Sequence, residues 1–110
     1  MTTRLLAAAI LGIVVSWPAA ASPEDFGLRL SAAAIARTQY AVVYDPAYVV
    51  LPYPGGDVPA DRGVCADEIV RAFRDVGIDL QRLVHEDMRA NFSAYPAMWG
   101  LRRPDRNIDH

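Results

Sequence analysis

The sequence is poor in cysteine and contains no lysine. Its 110 residues include one cysteine, Cys65, and all 11 basic residues are arginine, against 13 acidic residues. A single cysteine excludes a disulfide within the chain, so its thiol is either free or paired with another chain. The formal net charge of −2 provides no basic surface of the kind that nucleic-acid-binding proteins carry. We therefore expect no nucleic-acid partner.

Long apolar runs are also absent, apart from one near the N-terminus. Arg4 precedes an apolar run over residues 5–15, and the small residues Ala19-Ala20-Ala21 stand directly before Ser22. This pattern is typical of a secretory signal peptide, and the run is too short to span a membrane. The sequence therefore predicts a signal peptide at residues 1–21. It predicts an exported domain at residues 22–110, periplasmic or extracellular, with no membrane contact after cleavage.

The segment after the predicted cleavage site carries the signals of a helix start. Ser22 can cap the helix, Pro23 suits its first turn, and Glu24 and Asp25 complement the positive end of the helix dipole. Apolar and small residues then recur at helical spacing. The pattern predicts a first helix that serves as scaffold.

Short extended segments and a loop are predicted next. Residues 42–44 and 48–51 are rich in valine and tyrosine, and the turn signal at residues 45–46 separates them. Residues 52–59 contain three prolines and two glycines and form a loop that leads toward Cys65. This loop is either one wall of a substrate groove or a plain surface connection.

Cys65 lies where a second helix is predicted to begin, and Gly77 marks its end. Unpaired amides at a helix N-terminus favour the thiolate form of a cysteine, which is the nucleophilic form. A free cysteine is otherwise commonly a small buried apolar residue, and position alone leaves both interpretations open. Asp67 is expected to cap or stabilise this helix. The predicted inward face of this helix consists of Ala66, Ile69, Val70, Phe73 and Val76. Cys65 is predicted to lie at the border of this face.

A third helix is predicted after Gly77, and it carries His85. Asp79 is its expected cap, and the expected inward residues are Leu80, Leu83, Val84 and Met88. In an antiparallel hairpin, Cys65 and His85 are offset by roughly 6 Å along the helix axes. A catalytic base must lie within about 3 Å of the proton that it removes. We therefore expect His85 to make a structural hydrogen bond or to lie at the surface.

The last stretch, residues 91–110, has no sustained period and is predicted to cross the surface in extended form. Four residues of the types that bind zinc occur in this part of the chain, namely His85, Asp87, Asp109 and His110. Their spacing matches no recognised zinc motif. We predict neither a metal nor another cofactor.

Motifs spread over most of the chain after the first helix carry a family resemblance. They are Tyr44-Asp45-Pro46, Tyr53-Pro54, Gly56-Asp57-Val58-Pro59, Arg62-Gly63-Val64-Cys65-Ala66-Asp67, Gly77-Ile78-Asp79-Leu80-Gln81, Leu83-Val84-His85-Glu86-Asp87-Met88 and Pro104-Asp105-Arg106-Asn107-Ile108-Asp109-His110. Together they resemble the bacterial family called domain of unknown function 1287. The resemblance implies an α+β fold. It implies that the chain corresponds to the N-terminal, mainly helical half of a papain-like (NlpC-like) fold. In such folds the nucleophilic cysteine opens a helix packed against an antiparallel sheet, and Cys65 matches the position of that nucleophile.

The resemblance also implies what the chain does. Family members continue past the Asn-Ile-Asp-His motif into a strand-rich half, where the resemblance places the histidine base, and neither His85 nor His110 matches its position. The domain at residues 22–110 is therefore expected to be truncated at its C-terminus. The expected function is that of an exported cysteine hydrolase acting on amide bonds, with cell-wall peptides as substrate and Cys65 as nucleophile. The alternatives are a non-catalytic periplasmic binding or interaction module, or a fragment that has no independent function. The sequence leaves the oligomeric state open.

Overall fold

The computed structural model describes residue 20, residues 22–98 and residues 100–108. The predicted signal peptide, apart from Ala20, lies outside the described residues, as do Trp99, Asp109 and His110. Within the described part of the chain, no helix is both long enough and apolar enough to cross a membrane.

Three helices and one short sheet form a small α+β domain, which confirms the predicted fold class at this level. In chain order the elements are α1 (Pro23–Arg37), β1 (Val43–Tyr44), β2 (Arg62–Gly63), α2 (Cys65–Asp75), α3 (Leu80–Asn91) and a short 3₁₀ helix (Phe92–Ala94). The sequence predicted each of the three α-helices.

The first helix begins as its sequence predicts. The Ser22 hydroxyl accepts a hydrogen bond from the Asp25 backbone N–H at 3.1 Å, and the Asp25 carboxylate accepts one from the Ser22 N–H at 3.3 Å. This reciprocal pair satisfies two N–H groups that a helix start otherwise leaves free. The helix then packs against α2, where the rings of Phe26 and Phe73 lie 6.2 Å apart. The scaffold role of α1 therefore rests on its contact with the cysteine helix.

The described sheet has two strands, and they run parallel. Val43 of β1 pairs with Arg62 of β2, and Tyr44 pairs with Gly63. The sequence predicted β1 within residues 42–44. It did not predict β2, because an arginine and a glycine carry no strand pattern. Residues 48–51 form no strand, and the described sheet is not the antiparallel sheet that the family resemblance implies.

The predicted loop at residues 52–59 is confirmed as a loop, and Gly56 fixes its path. A Cβ atom added at Gly56 would lie 2.0 Å from the Pro52 carbonyl oxygen and 2.9 Å from the Gln81 side-chain nitrogen. Only glycine allows this approach, because real Cβ contacts are never that short. The loop is therefore packed tightly against α3 at this point.

The predicted inward face of α2 is only partly right. Phe73 packs against Phe26 of α1, and Ala66, Val70 and Val76 are half-buried, but Ile69 is 54% exposed. The fully buried residues of α2 are Asp67, Arg71 and Ala72, none of which except Asp67 was singled out from the sequence. The buried side of the helix faces a loop whose backbone carbonyls require hydrogen-bond donors, and Arg71 supplies them. A pattern based on apolar residues cannot identify a buried face that polar side chains fill.

The predicted inward face of α3 is also only partly right. Met88 is buried as predicted, and Leu80 and Val84 are half-buried, but Leu83 is 44% exposed. Gln81 and His85 are buried and were not predicted to be. The predicted cap is confirmed, because the Asp79 carboxylate accepts a hydrogen bond from the Arg82 N–H. The helix therefore begins where predicted, but polar side chains fill much of its inward side.

The C-terminal segment, residues 100–108, is held against the rest of the domain by buried polar groups. Gln81 donates a hydrogen bond to the Arg106 carbonyl at 3.0 Å, and the Asn107 side chain donates one to the Val49 carbonyl at 2.9 Å. Asn107 is only 2% exposed. Residues 100–108 have no helix or strand, as predicted for residues 91–110, but that stretch also contains the unpredicted 3₁₀ helix Phe92–Ala94, and Asn107 does not lie on the surface.

Candidate active site

Cys65 is the first residue of α2, and the residue before it is extended. Val64 precedes the helix with φ −113° and ψ 178°. Its backbone N–H donates a hydrogen bond of 2.6 Å to the carboxylate of Asp67, which is 4% exposed. The predicted capping role of Asp67 is thereby confirmed, and the start of the helix is fixed at the cysteine.

Gly63 makes room for this cap. It has a φ of +148°, and a Cβ added to it would lie 2.7 Å from a carboxylate oxygen of Asp67. A side chain at position 63 would therefore displace the capping carboxylate or change the backbone, since L-residues rarely adopt this φ. The glycine directly before Val64 is part of the structure that places Cys65.

The Cys65 thiol is free and exposed. The alternative interpretation of Cys65 as a small buried residue is therefore wrong. Exposure gives a substrate access to the sulfur atom, which a nucleophile requires. The catalytic role of Cys65 stays a prediction.

Backbone donors lie at the same helix start. The N–H groups of Asp67 and Glu68 both point to the Val64 carbonyl oxygen, at 3.1 and 3.4 Å. The first N–H groups of a helix have no intrahelical acceptor, so those of Cys65 and Ala66 remain directed beyond the helix end. Such donors beside a nucleophile can bind the oxyanion that forms when a carbonyl is attacked.

Two arginines offset the acidic charge beside the cysteine. The Glu68 carboxylate accepts hydrogen bonds from Arg37, at 2.9 Å from Nε, and from Arg71. Burial alone would raise the pKa of Glu68, but the hydrogen bonds and charges of the two arginines outweigh it and hold the pKa below its ordinary value. The helix start therefore carries a neutralised carboxylate, which reduces repulsion of a thiolate.

A second carboxylate is stabilised in its charged form at the start of α3. Burial alone would raise the pKa of Asp79, but hydrogen bonds from the Arg74 side chain and the Arg82 N–H lower it overall. Asp79 also accepts a hydrogen bond from the Gly55 N–H at 2.8 Å. Its charged form thus links α2, α3 and the loop.

These two carboxylates predict a loss of stability in acid. The pKa values of Glu68 and Asp79 fall below 4.5 and 3.8 in the folded chain, so the unfolded chain binds more protons near those values. Their stabilisation is present above about pH 5 and is lost as the pH falls through the folded-state pKa values. Thermal unfolding followed by circular dichroism should show a midpoint that falls between about pH 5 and pH 3.

Glu68→Gln is the control for this acid transition. The variant should be less stable than the original chain near neutral pH and should show a smaller drop in acid. A midpoint that is unchanged from neutral pH to about pH 3 would contradict the assignment of these ion pairs.

His85 makes a structural hydrogen bond, as predicted. Its Nδ1 lies 2.6 Å from the Asp105 carbonyl oxygen, and its ring packs 4.8 Å from the ring of Tyr53. A carbonyl oxygen only accepts, so Nδ1 is the protonated nitrogen. The ring is 9% exposed and holds the C-terminal segment against α3. His85 therefore belongs to the packing of that segment and not to the surroundings of Cys65.

No group of three or more metal-ligating side chains occurs among the residues that the structure describes. Asp87 accepts hydrogen bonds from Asn91 and Tyr95. Asp109 and His110, the other two residues considered for a metal site, lie outside the described residues.

The sequence interpretation missed two residues that shape the site. Arg71 is buried behind the cysteine turn, and Gln81 is the most deeply buried large side chain of the described chain at 1% exposure. Arg71 lies four residues after Asp67, so their shared helix face was the signal that could have identified it. No sequence signal pointed to Gln81, whose partners lie in the loop and the C-terminal segment.

Comparison with known proteins places the chain in a sequence family. A family model described as Domain of unknown function (DUF1287) matches residues 31–110. The uncharacterized protein YijF of Escherichia coli (strain K12) is 66% identical over 67 residues, which cover 61% of this chain and 33% of that relative. The chain thus matches about a third of the length of this curated relative. No solved structure matches.

Proposed function

The chain belongs to the family of domain of unknown function 1287, and from that membership we propose that it carries the nucleophile of an exported papain-like cysteine hydrolase. The proposed substrates are amide bonds in cell-wall peptides. The single observation that carries the proposal is the free, exposed thiol of Cys65 at the first residue of a helix. Cysteine nucleophiles are activated in this setting, because the helix dipole favours the thiolate.

The proposed reaction has two covalent steps. The base takes the proton of the Cys65 thiol, the thiolate attacks the substrate carbonyl carbon, and the oxyanion that forms accepts hydrogen bonds from the N–H groups at the start of α2. Collapse breaks the C–N bond, and the leaving amine takes that proton from the base, which leaves an acyl thioester on Cys65. Water then adds to the thioester with one proton going to the base. The C–S bond breaks, the carboxylic acid leaves, and the sulfur takes the proton from the base to re-form the thiol.

This reaction requires a base, and we assign that role to a histidine other than His85 and His110, neither of which matches the position of the base. The contacts of His85 are with Asp105 and Tyr53, which fit a structural histidine. The family resemblance puts the base on a strand beyond the Asn-Ile-Asp-His motif. The papain-like relation itself is supported by the cysteine at a helix start, and the proposed export by the N-terminal apolar run.

The test is to trap the acyl-enzyme. The protein isolated from its host is incubated with cell-wall peptides, quenched in acid and analysed by mass spectrometry. The proposal predicts new peptide amines and a chain whose mass increases by that of the acyl fragment, with the added mass on the peptide that contains Cys65. Intact cell-wall peptides and an unmodified Cys65 after prolonged incubation would contradict it.

The alternative proposal is a periplasmic binding or interaction module. One observation favours it: an open apolar groove of about 260 Å³ lies between α1 and α2, lined in part by Leu30, Ala34, Ile69 and Phe73. A binding module would retain cell-wall peptides equally well with Cys65 or with Cys65→Ser and would cleave them in neither case. Calorimetric titration of both proteins, combined with product analysis, separates the two proposals.

A further inference from the structure

The guanidinium of Arg71 is buried between two carboxylates. Its side chain is 5% exposed, its Nε donates a hydrogen bond to Asp57 at 2.8 Å, and its Nη1 donates one to Glu68. Asp57 lies in the loop before the cysteine, and Glu68 lies in the first turn of α2. Arg71 thus connects the loop to the start of the cysteine helix through charged hydrogen bonds, which are stronger than neutral ones.

The third nitrogen of this guanidinium faces the backbone that leads into the cysteine. Nη2 lies 3.1 Å from the Arg62 carbonyl, 3.3 Å from that of Pro59 and 3.4 Å from that of Val58. Arg62 belongs to β2, which ends directly before Val64. One side chain on α2 therefore fixes the direction in which the chain enters α2.

We propose that Arg71 is the positioning residue of the candidate active site. It holds the loop and β2 so that the N–H groups at the start of α2 and the Cys65 thiol keep one fixed arrangement. This inference rests on the proposed function for its chemical meaning. Lysine cannot replace arginine here, because a single ammonium group does not reproduce a planar fork that bonds two carboxylates and three carbonyls.

Arg74 provides a matched control on the same helix. Its Nη2 donates hydrogen bonds to the Gly56 carbonyl at 2.7 Å and to Asp79 at 3.2 Å. It therefore also joins α2 to the loop and to a carboxylate, but it contacts neither Arg62 nor Glu68. Arg74→Gln removes an ion pair and a loop hydrogen bond from the same helix, and the cysteine turn keeps its own contacts.

The experiment compares Arg71→Gln, Arg71→Lys and Arg74→Gln in the full chain, each at the same interval below its own unfolding temperature. Amide hydrogen exchange is measured along the chain, and the rate at which iodoacetamide alkylates Cys65 is measured in parallel. We expect exchange at residues 62–68 to be about tenfold faster in both Arg71 variants. We also expect the alkylation rate of Cys65 to fall about fivefold toward that of an unfolded chain. Arg74→Gln should leave both quantities within about twofold of the original.

The inference is overturned if the Arg71 and Arg74 variants speed amide exchange at residues 62–68 equally. It is also overturned if exchange there is as slow in Arg71→Lys as in the original chain. If Arg71→Gln does not fold, Arg71→Lys, which keeps the charge, provides the comparison. The proposed function fails separately, in the original chain, if Cys65 is alkylated no faster than a free model thiol. Even if the proposed function fails in this way, faster amide exchange at residues 62–68 in the Arg71 variants alone would still support the positioning role of Arg71.

Discussion

Under the proposed function, replacing Cys65 with serine is expected to lower cell-wall peptide hydrolysis by about 10⁴-fold or more, since removal of a nucleophile costs an enzyme this much. Serine preserves the size of the side chain at this exposed position, but a hydroxyl is a far weaker nucleophile than a thiol in the proposed reaction. The free energy of unfolding should change by less than about 0.5 kcal/mol, because the thiol is exposed and packs no core. Product formation and thermal unfolding are measured on the same preparations.

Ala66→Ser is the matched control for this loss. It adds a hydroxyl in the same turn of α2 without changing the thiol, and it should retain most of the activity. Equal hydrolysis by the original chain and by Cys65→Ser would show that the cysteine is not the nucleophile. Equal losses in Cys65→Ser and Ala66→Ser would show that the turn, and not the thiol, was disturbed.

Replacing Gln81 with leucine is expected to lower the free energy of unfolding by about 3 kcal/mol or more. Gln81 accepts a hydrogen bond from the Gly56 N–H at 2.7 Å and donates to the carbonyls of Pro52, at 2.8 Å, and Arg106, at 3.0 Å. Leucine is similar in size but cannot form hydrogen bonds to these three backbone groups. Each buried backbone group left without a hydrogen-bond partner costs about 1 to 3 kcal/mol of stability. Urea denaturation measures the change.

Arg82→Ala is the control on the adjacent residue of the same helix. Arg82 forms an exposed ion pair with Glu86, so its removal should cost less than about 0.5 kcal/mol. The account of Gln81 is contradicted if Gln81→Leu is as stable as Arg82→Ala. That outcome would mean that the loop, α3 and the C-terminal segment are held together by other contacts.

The helix starts were predictable because their signals are local. Ser22, Asp79 and Asp67 each accept hydrogen bonds from backbone N–H groups within three residues. Capping depends on short-range geometry, so the residue type and its spacing are sufficient. The same reasoning placed Cys65 at the first turn of α2, where the structure has it.

The buried faces were not predictable because their partners are distant in sequence. Arg71 bonds carbonyls 9 to 13 residues before it, and Gln81 bonds the Arg106 carbonyl 25 residues after it. A periodicity argument assumes that apolar residues mark the inside. Here the most deeply buried side chains of α2 and α3 face loop backbone, so they are mostly polar, while Ile69 and Leu83 are exposed.

The site shows the same division between local and distant information. The chain enters α2 through β2, a two-residue strand that exists only through its pairing with β1. The sequence left Cys65 open between a buried residue and a nucleophile. The three-dimensional arrangement removed the first interpretation, while the chemical role of the thiol stays a prediction.

The most direct test of this role is the alkylation rate of Cys65 in the protein isolated from its host, measured with iodoacetamide near neutral pH. A free model thiol and the same protein unfolded in urea are the references. We predict that the folded protein reacts faster than both, because the proposed reaction requires Cys65 to be an activated nucleophile. A folded protein that reacts no faster than either reference would contradict the assignment of Cys65 as an activated nucleophile.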